Sequence, residues 1–174
     1  MEWVIPAAAL LLLIWAVIIR RRLVALQQAA VHAWAEVDGL LRRRHDLVSR
    51  LVEAVRGRVA RERKSLDGVM TARGRAVAEQ APAGIGKAEA VLSAAIGRVF
   101  EVVEENPGLK ADPDLLRLQS ELSAVESGIL KSARHFNEAA REYNDARLGF
   151  PGAFLAYVIR FDLLQYYTVA EAKP

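Results

Sequence analysis

Cysteine is absent from the 174 residues. That excludes disulfide staples, thiolate metal sites and a cysteine nucleophile, and it leaves the compartment open. Histidine occurs only 3 times, at His32, His45 and His135, and aromatic residues make up 7% of the chain. No stretch alternates with period 2, no glycine-rich phosphate loop follows a strand, and no repeat period is present, so β architectures and nucleotide-cradling folds have nothing to start from. What remains is rich in Ala, Leu, Val, Arg and Glu, side chains that mostly lose little freedom in a helix.

Charge is unevenly spread. Residues 20–64 carry 12 Lys and Arg against 5 Asp and Glu, whereas the chain from residue 65 onward carries 12 against 15. A basic front and a mildly acidic back favour pairing within or between chains as readily as an external anion. Nucleic acid is not expected as a partner, because the basic run has only Trp34 near it for stacking and lies in no docking motif.

The apolar stretch "WVIPAAALLLLIWAVII", Trp3 to Ile19, has no charge. Its length of about 17 residues gives roughly 26 Å of helix, near the bilayer core of about 30 Å. Trp3 and Trp15 suit the two interfaces, and Arg20, Arg21 and Arg22 follow at once. Glu2 stands where a cleavable signal peptide needs a basic region, so the pattern predicts an uncleaved, single-pass transmembrane anchor over 3–19. The lipid bilayer is then one partner. The arginines place the following domain, 20–174, on the cytoplasmic side of a plasma membrane with the N-terminus outside.

From Leu23 the apolar period is helical through Leu26, Trp34, Val37, Leu41, Val48, Val52, Val55, Val59, Leu66 and Val69. The pattern can run unbroken from the apolar stretch to about Glu79, and Gly39, Gly57 and Gly68, each costing about 1 kcal/mol against Ala, are the places where it can break. "APAGIGK" (Ala81 to Lys87) reads as a linker, and a second helix follows from Lys87 to Glu105 with Val91, Leu92, Ala95, Ile96, Val99 and Val103 on one side. In "NPGLKADPD" Asp112 is an N-cap and Pro113 the first helical residue. The third helix carries a near-heptad seam through Leu115, Leu122, Ile129, Phe136 and Tyr143, and "GFPG" stops it. The aromatic tail, with Phe154, Tyr157, Phe161, Tyr166 and Tyr167, reads as a short helix and an extended strap. The fold class is therefore all-α: an N-terminal transmembrane helix, then an antiparallel three- to four-helix bundle.

The run "LLRRRHDLVSRLVE", Leu40 to Glu53, holds the charges most suggestive of chemistry. A di-metal bundle site needs Glu three residues before its histidines; Ala29, Arg42 and Ser132 stand there instead. His45 and Asp46 are neighbours and point about 100° apart, so this aspartate cannot orient that ring. Ser49 lies one turn from His45, but mid-helix there is no free N–H pair for an oxyanion. No catalytic, metal or cofactor residue is assigned. The run reads instead as a structural polar network. Asp38, Arg42 and Asp46 form i, i+4 pairs, Arg44 and His45 border the stripe, and a polar row on the third helix (Gln119, Glu126, Arg134, Asn137, Asn144) meets them across the bundle, with Arg44 facing Glu126. His32 with Glu36 and His135 with Glu138 read as local surface pairs.

Four stretches then carry a resemblance. "AWAEVDGLLRRRHDLVSRLVEAVRG" (Ala33 to Gly57), "NPGLKADPDLLRLQSELSAVESGI", "ARHFNEAAREYN" and "FPGAFLAYVIRF" resemble, in order, the motifs of the LemA family. The resemblance implies a bacterial, single-pass membrane protein with an antiparallel helical bundle and no established enzymatic activity. Three departures stand out: Val48-Ser49-Arg50 replaces the family's I-P-N, Gly39 replaces a valine, and Arg160-Phe161 replaces its closing G-F. The expected function is non-catalytic association at the membrane, as a scaffold, through self-assembly or a membrane-protein partner. The stripe from Leu23 to Trp34 and the aromatic tail are the expected surfaces. An adaptor for a membrane protease or signalling complex is the second reading, and a cryptic hydrolase or metal-binding protein the third.

Overall fold

The computed structural model describes residues 3–58, 63–150, 153 and 160–168. The described elements are helices, a few turns and one extended strap, as the composition leads one to expect. Helix α1 runs Val4–Arg56, α2 Arg63–Ala78, α3 Pro82–Glu105, the single turn α4 Pro107–Lys110, and α5 Pro113–Leu148. The 53 residues of α1 span about 80 Å. It stays helical through Gly39 and ends at Gly57, so of the anticipated glycine breaks the second is used. Past it, Arg58 N–H donates back to the Val55 carbonyl at 3.0 Å.

The link between α2 and α3 is shorter than "APAGIGK" suggests. Pro82 sits at the first helical position of α3, where its missing N–H costs nothing. Glu79 Oε1 accepts from the N–H groups of Gln80 and Ala81 at 3.1 and 3.3 Å, which closes the turn. Asp112 caps α5 as expected, accepting from Asp114 and Leu115 N–H at 2.9 and 3.3 Å. It also pairs with Arg58, which ties the end of α1 to the start of α5.

Helices α1 and α5 form the most extensive pair and run antiparallel: Arg58 meets Asp112 at one end, and Trp15 meets Phe150 at the other. Helices α2 and α3 make a hairpin laid against the far half of α1. The core takes Val37, Leu41, Val48, Leu51 and Val55 from α1, Leu66 and Val69 from α2, Leu92 and Val99 from α3, and Leu122, Ile129 and Phe136 from α5. Alanines at Ala30, Ala33, Ala133 and Ala140 are fully buried and let the long pair approach closely. The stripe from Leu23 to Trp34 is therefore covered within the chain: Leu23, Ala30 and Ala33 are buried, and the Trp34 ring packs at a tilt against Phe136 with centroids 5.0 Å apart. That corrects the expectation of a surface left open there. On α3, Val91 is exposed rather than buried.

The N-terminal third of α1 extends beyond the bundle. Among the described residues no helix is long and apolar enough to cross a membrane, so the expected transmembrane helix over 3–19 is not carried by them. Arg20, Arg21 and Arg22 end the uncharged stretch, and its helical part from Val4 to Ile19 covers roughly 24 Å, short of a bilayer core of about 30 Å. Leu10, Leu11, Leu12, Leu13 and Ile18 on it are all more than half exposed.

After α5 the chain returns as a strap over 160–168. Arg160 turns it with φ 56°, a left-handed conformation rare for a side chain with Cβ. Residues 161–168 are then extended, so the strap part of the expected tail is present. Phe154 and Tyr157 lie outside the described residues.

Candidate functional site

Arg44 and His45 are neighbours on α1, and both are turned inward, with 6% and 8% of their surface exposed. Two adjacent helical residues share an interior only when partners flank the helix from two directions. Here the covering group is Glu89 of α3, itself 3% exposed. Its Oε2 accepts from Arg44 Nη1 at 3.0 Å, and its Oε1 lies 2.6 Å from His45 Nε2. Beside a carboxyl group that accepts from Arg44, the His45 tautomer that fits this contact carries its hydrogen on Nε2. Arg44 Nη2 donates to Ser93 Oγ at 2.6 Å, one turn along α3 from Glu89, and stands 3.7 Å from Glu126 of α5. From α2, Arg73 Nε donates to the His45 carbonyl at 2.9 Å. One cluster thus joins α1, α2, α3 and α5, and among the described residues no buried side-chain polar atom lacks a partner.

Glu89 is the residue the sequence reading missed, and its signal was there. The buried positions Ile85, Glu89, Leu92, Ile96, Val99 and Val103 alternate at spacings of four and three, a heptad stripe with one acid in it. A carboxylate in such a stripe demands a cation opposite.

The strap completes the site. Asn144 clasps Leu164, with Oδ1 accepting its N–H at 3.0 Å and Nδ2 donating to its carbonyl at 3.0 Å. Asn137 holds Tyr167 the same way, at 2.9 and 2.8 Å. The pitches match: seven residues of helix and three of extended chain both advance about 10 Å. Two further bonds come from Tyr143 to the Asp162 carbonyl at 3.0 Å and from Arg147 to that of Phe161 at 2.6 Å. Tyr167 is buried, its ring 6.0 Å from Trp34. Burial pushes its hydroxyl up to about 12, the negative charge of Glu89 adds to this, and Arg44 opposes it. Beyond Tyr167 the strap passes so close to Gly86 that a Cβ there would run into the Thr168 carbonyl.

Of the proposed network, Arg44, His45 and Glu126 meet, while Asn137 and Asn144 serve the strap instead. Asp38 and Arg42 form their helical pair at 2.5 Å on the surface. Asp46, Gln119 and Arg134 are exposed, so the expected meeting of the α5 row with the buried residues of the run is realised at Glu126 beside Arg44 and not along the whole row. Gln119, Glu126 and Arg44 do share a groove of about 590 Å³ between α3 and α5, with Phe100 and Leu122 on its walls. His135 reaches Glu36 across the helix pair at 3.9 Å rather than Glu138. Ser49 donates to the His45 carbonyl at 3.1 Å, not to its ring. Among the described residues no group of His, Asp and Glu is placed to hold a metal ion. Trp3, Trp15, Arg20, Arg21 and Arg22 are all solvent-exposed.

The sequence model of the LemA family matches residues 33–174. The chain belongs to the LemA family. No curated protein matches it. The LemA match contains the whole Arg44–Glu89–His45 cluster, both strap asparagines and the strap. It begins inside α1, so the projecting third of that helix lies outside the matched LemA region.

Proposed function

We propose that this LemA-family chain is a membrane-anchored helical bundle that works without catalysis, by protein–protein association or self-assembly at a bacterial plasma membrane. One observation carries the anchoring: the projecting third of α1 exposes Leu10 to Leu13, Ile14, Val17 and Ile18 in one continuous apolar surface. An exposed apolar patch of that kind marks a membrane or partner contact. Arg20, Arg21 and Arg22 bound it at the bundle end, which favours an outside N-terminus and a cytoplasmic bundle.

A scaffold role, rather than chemistry, is supported by how the buried charges are used. Both oxygens of Glu89 are engaged by Arg44 and His45, and Arg44 is further engaged by Ser93 and Glu126. Groups consumed in this way fix helix register; they are not poised to exchange protons with a substrate.

Alkaline carbonate extraction of membranes, followed by light scattering of the detergent-solubilised full chain, tests the reading. The expected result is retention in the membrane pellet and a particle larger than one chain. Release into the supernatant overturns anchoring, and a monomer overturns self-assembly. Protease digestion of spheroplasts tests the side: cleavage of the bundle from outside overturns the cytoplasmic assignment.

A further inference from the structure

The end of α5 carries an apolar protrusion that the bundle does not use. Phe150 is 90% exposed and Leu148 60%. The sequence remains uncharged from Leu148 to Ile159. Yet this protrusion is not remote from α1: the rings of Phe150 and Trp15 lie 6.4 Å apart. Trp15 stands five residues before Arg20, which is about 7.5 Å toward the N-terminus along the helix. Phe150 therefore sits on the apolar side of the arginine cluster, level with the exposed face of α1. Toward the bundle, Arg22, Glu142 and Asp145 line a notch between α1 and α5 beside it, and Arg147 is held to the Phe161 carbonyl.

We propose that the end of α5 is a second membrane contact, with Leu148 and Phe150 entering the boundary between headgroups and acyl chains in the leaflet that receives α1. The inference rests on the membrane reading of α1. Lipid is the occupant because the surface is continuous with the exposed face of α1 through the Trp15–Phe150 contact, and because the basic residues stop at one level, as they do at a membrane surface. Two contacts, one on each helix of the antiparallel pair, hold the bundle at a set rotation about α1. The projecting part of α1 alone leaves it free to turn about the helix axis.

Absence of native cysteine makes a direct depth measurement available. Full-length Leu12→Cys, Phe150→Cys and Ser123→Cys variants, each carrying an environment-sensitive fluorophore, are reconstituted into phosphatidylethanolamine–phosphatidylglycerol vesicles. Nitroxide-labelled acyl chains then serve as the quencher. The labels at 12 and 150 are expected to be quenched at least about twofold more than the label at 123, as insertion into the acyl boundary requires. Leu148→Cys repeats the reading, should the change at Phe150 disturb its own contact. Quenching at 12 with none at 148 or 150 overturns the second contact and leaves the anchor standing. No quenching at 12 overturns the anchor and this inference together. Labels at 148 and 150 that are shielded from aqueous iodide but untouched by the nitroxide lipid are covered by another copy of the chain, and that also overturns it.

Discussion

Glu89 stands where the heptad stripe of α3 otherwise carries Ile, Leu and Val, and it is tolerated because two donors of α1 reach it. Burying charge is costly, and removing one member leaves the other uncompensated. Glu89→Gln is therefore expected to cost about 3–5 kcal/mol in chemical denaturation followed by circular dichroism. Glu126→Gln removes a partner that is half exposed and more distant, and is expected to cost less than about 1 kcal/mol. Equal losses at the two sites would show that Glu126, not Glu89 alone, balances Arg44. Arg160 poses the opposite case, a local conflict between residue and backbone. Its φ of 56° suits glycine, and the LemA-family motif has a glycine there. Arg160→Gly is expected to stabilise the chain by about 0.5–1 kcal/mol, after the extra flexibility of glycine in the unfolded state is offset. A loss in the same denaturation assay would mean that the arginine side chain contributes more than the backbone conformation costs.

At the scale of elements, the strap is held by a row of helix side chains rather than by a sheet. Asn137 and Asn144 supply four bonds to its backbone, and Tyr167 seals its end against Trp34. Neutral Tyr167 is what the buried site accepts. Its pKa rises from 10.0 to about 12 on folding, so this contribution is complete below about pH 10 and is lost as pH rises through the folded value. Raising pH across that window is expected to release the strap, read as a change in Trp34 fluorescence, and Tyr167→Phe is expected to remove that step; a step that survives in the variant assigns it to Tyr143, whose pKa burial also raises. Much of this was legible beforehand. Asp112 announced the start of α5, the period of three and four announced the helices, and the polar spacing on α5 put Asn137 and Asn144 at the border of its apolar seam. Their partner was not legible, because period and spacing say which face a residue occupies but not what covers it. Distance along the chain hid Glu89 in the same way: it meets His45 across 44 positions. The heptad stripe flags the acid, and only the fold of the α2–α3 hairpin tells which cation it finds.

For the whole molecule, α1 is at once the projecting segment and the longest wall of the bundle, so the orientation of one sets the orientation of the other. No break interrupts it between Arg20 and Arg56. Those residues are about 54 Å apart along the axis. A helix this long bends gently at most unless proline, a π-bulge or an inserted water breaks its ladder. Here α5 packs along it, and the Arg58–Asp112 pair fastens the far end. The LemA bundle is thus a rod rather than a ball on a tether, and if the N-terminal third enters the membrane the rod must stand away from it. Neutron reflectometry of the full chain in a supported bilayer is expected to find a protein layer about 50 Å deep beyond the headgroups, the length of helix past Arg22. A layer about 20 Å deep, the breadth of two packed helices, would mean that the rod lies flat. In that case the exposed face of α1 would rest along the lipid surface, and Arg20 to Arg22 would mark no boundary.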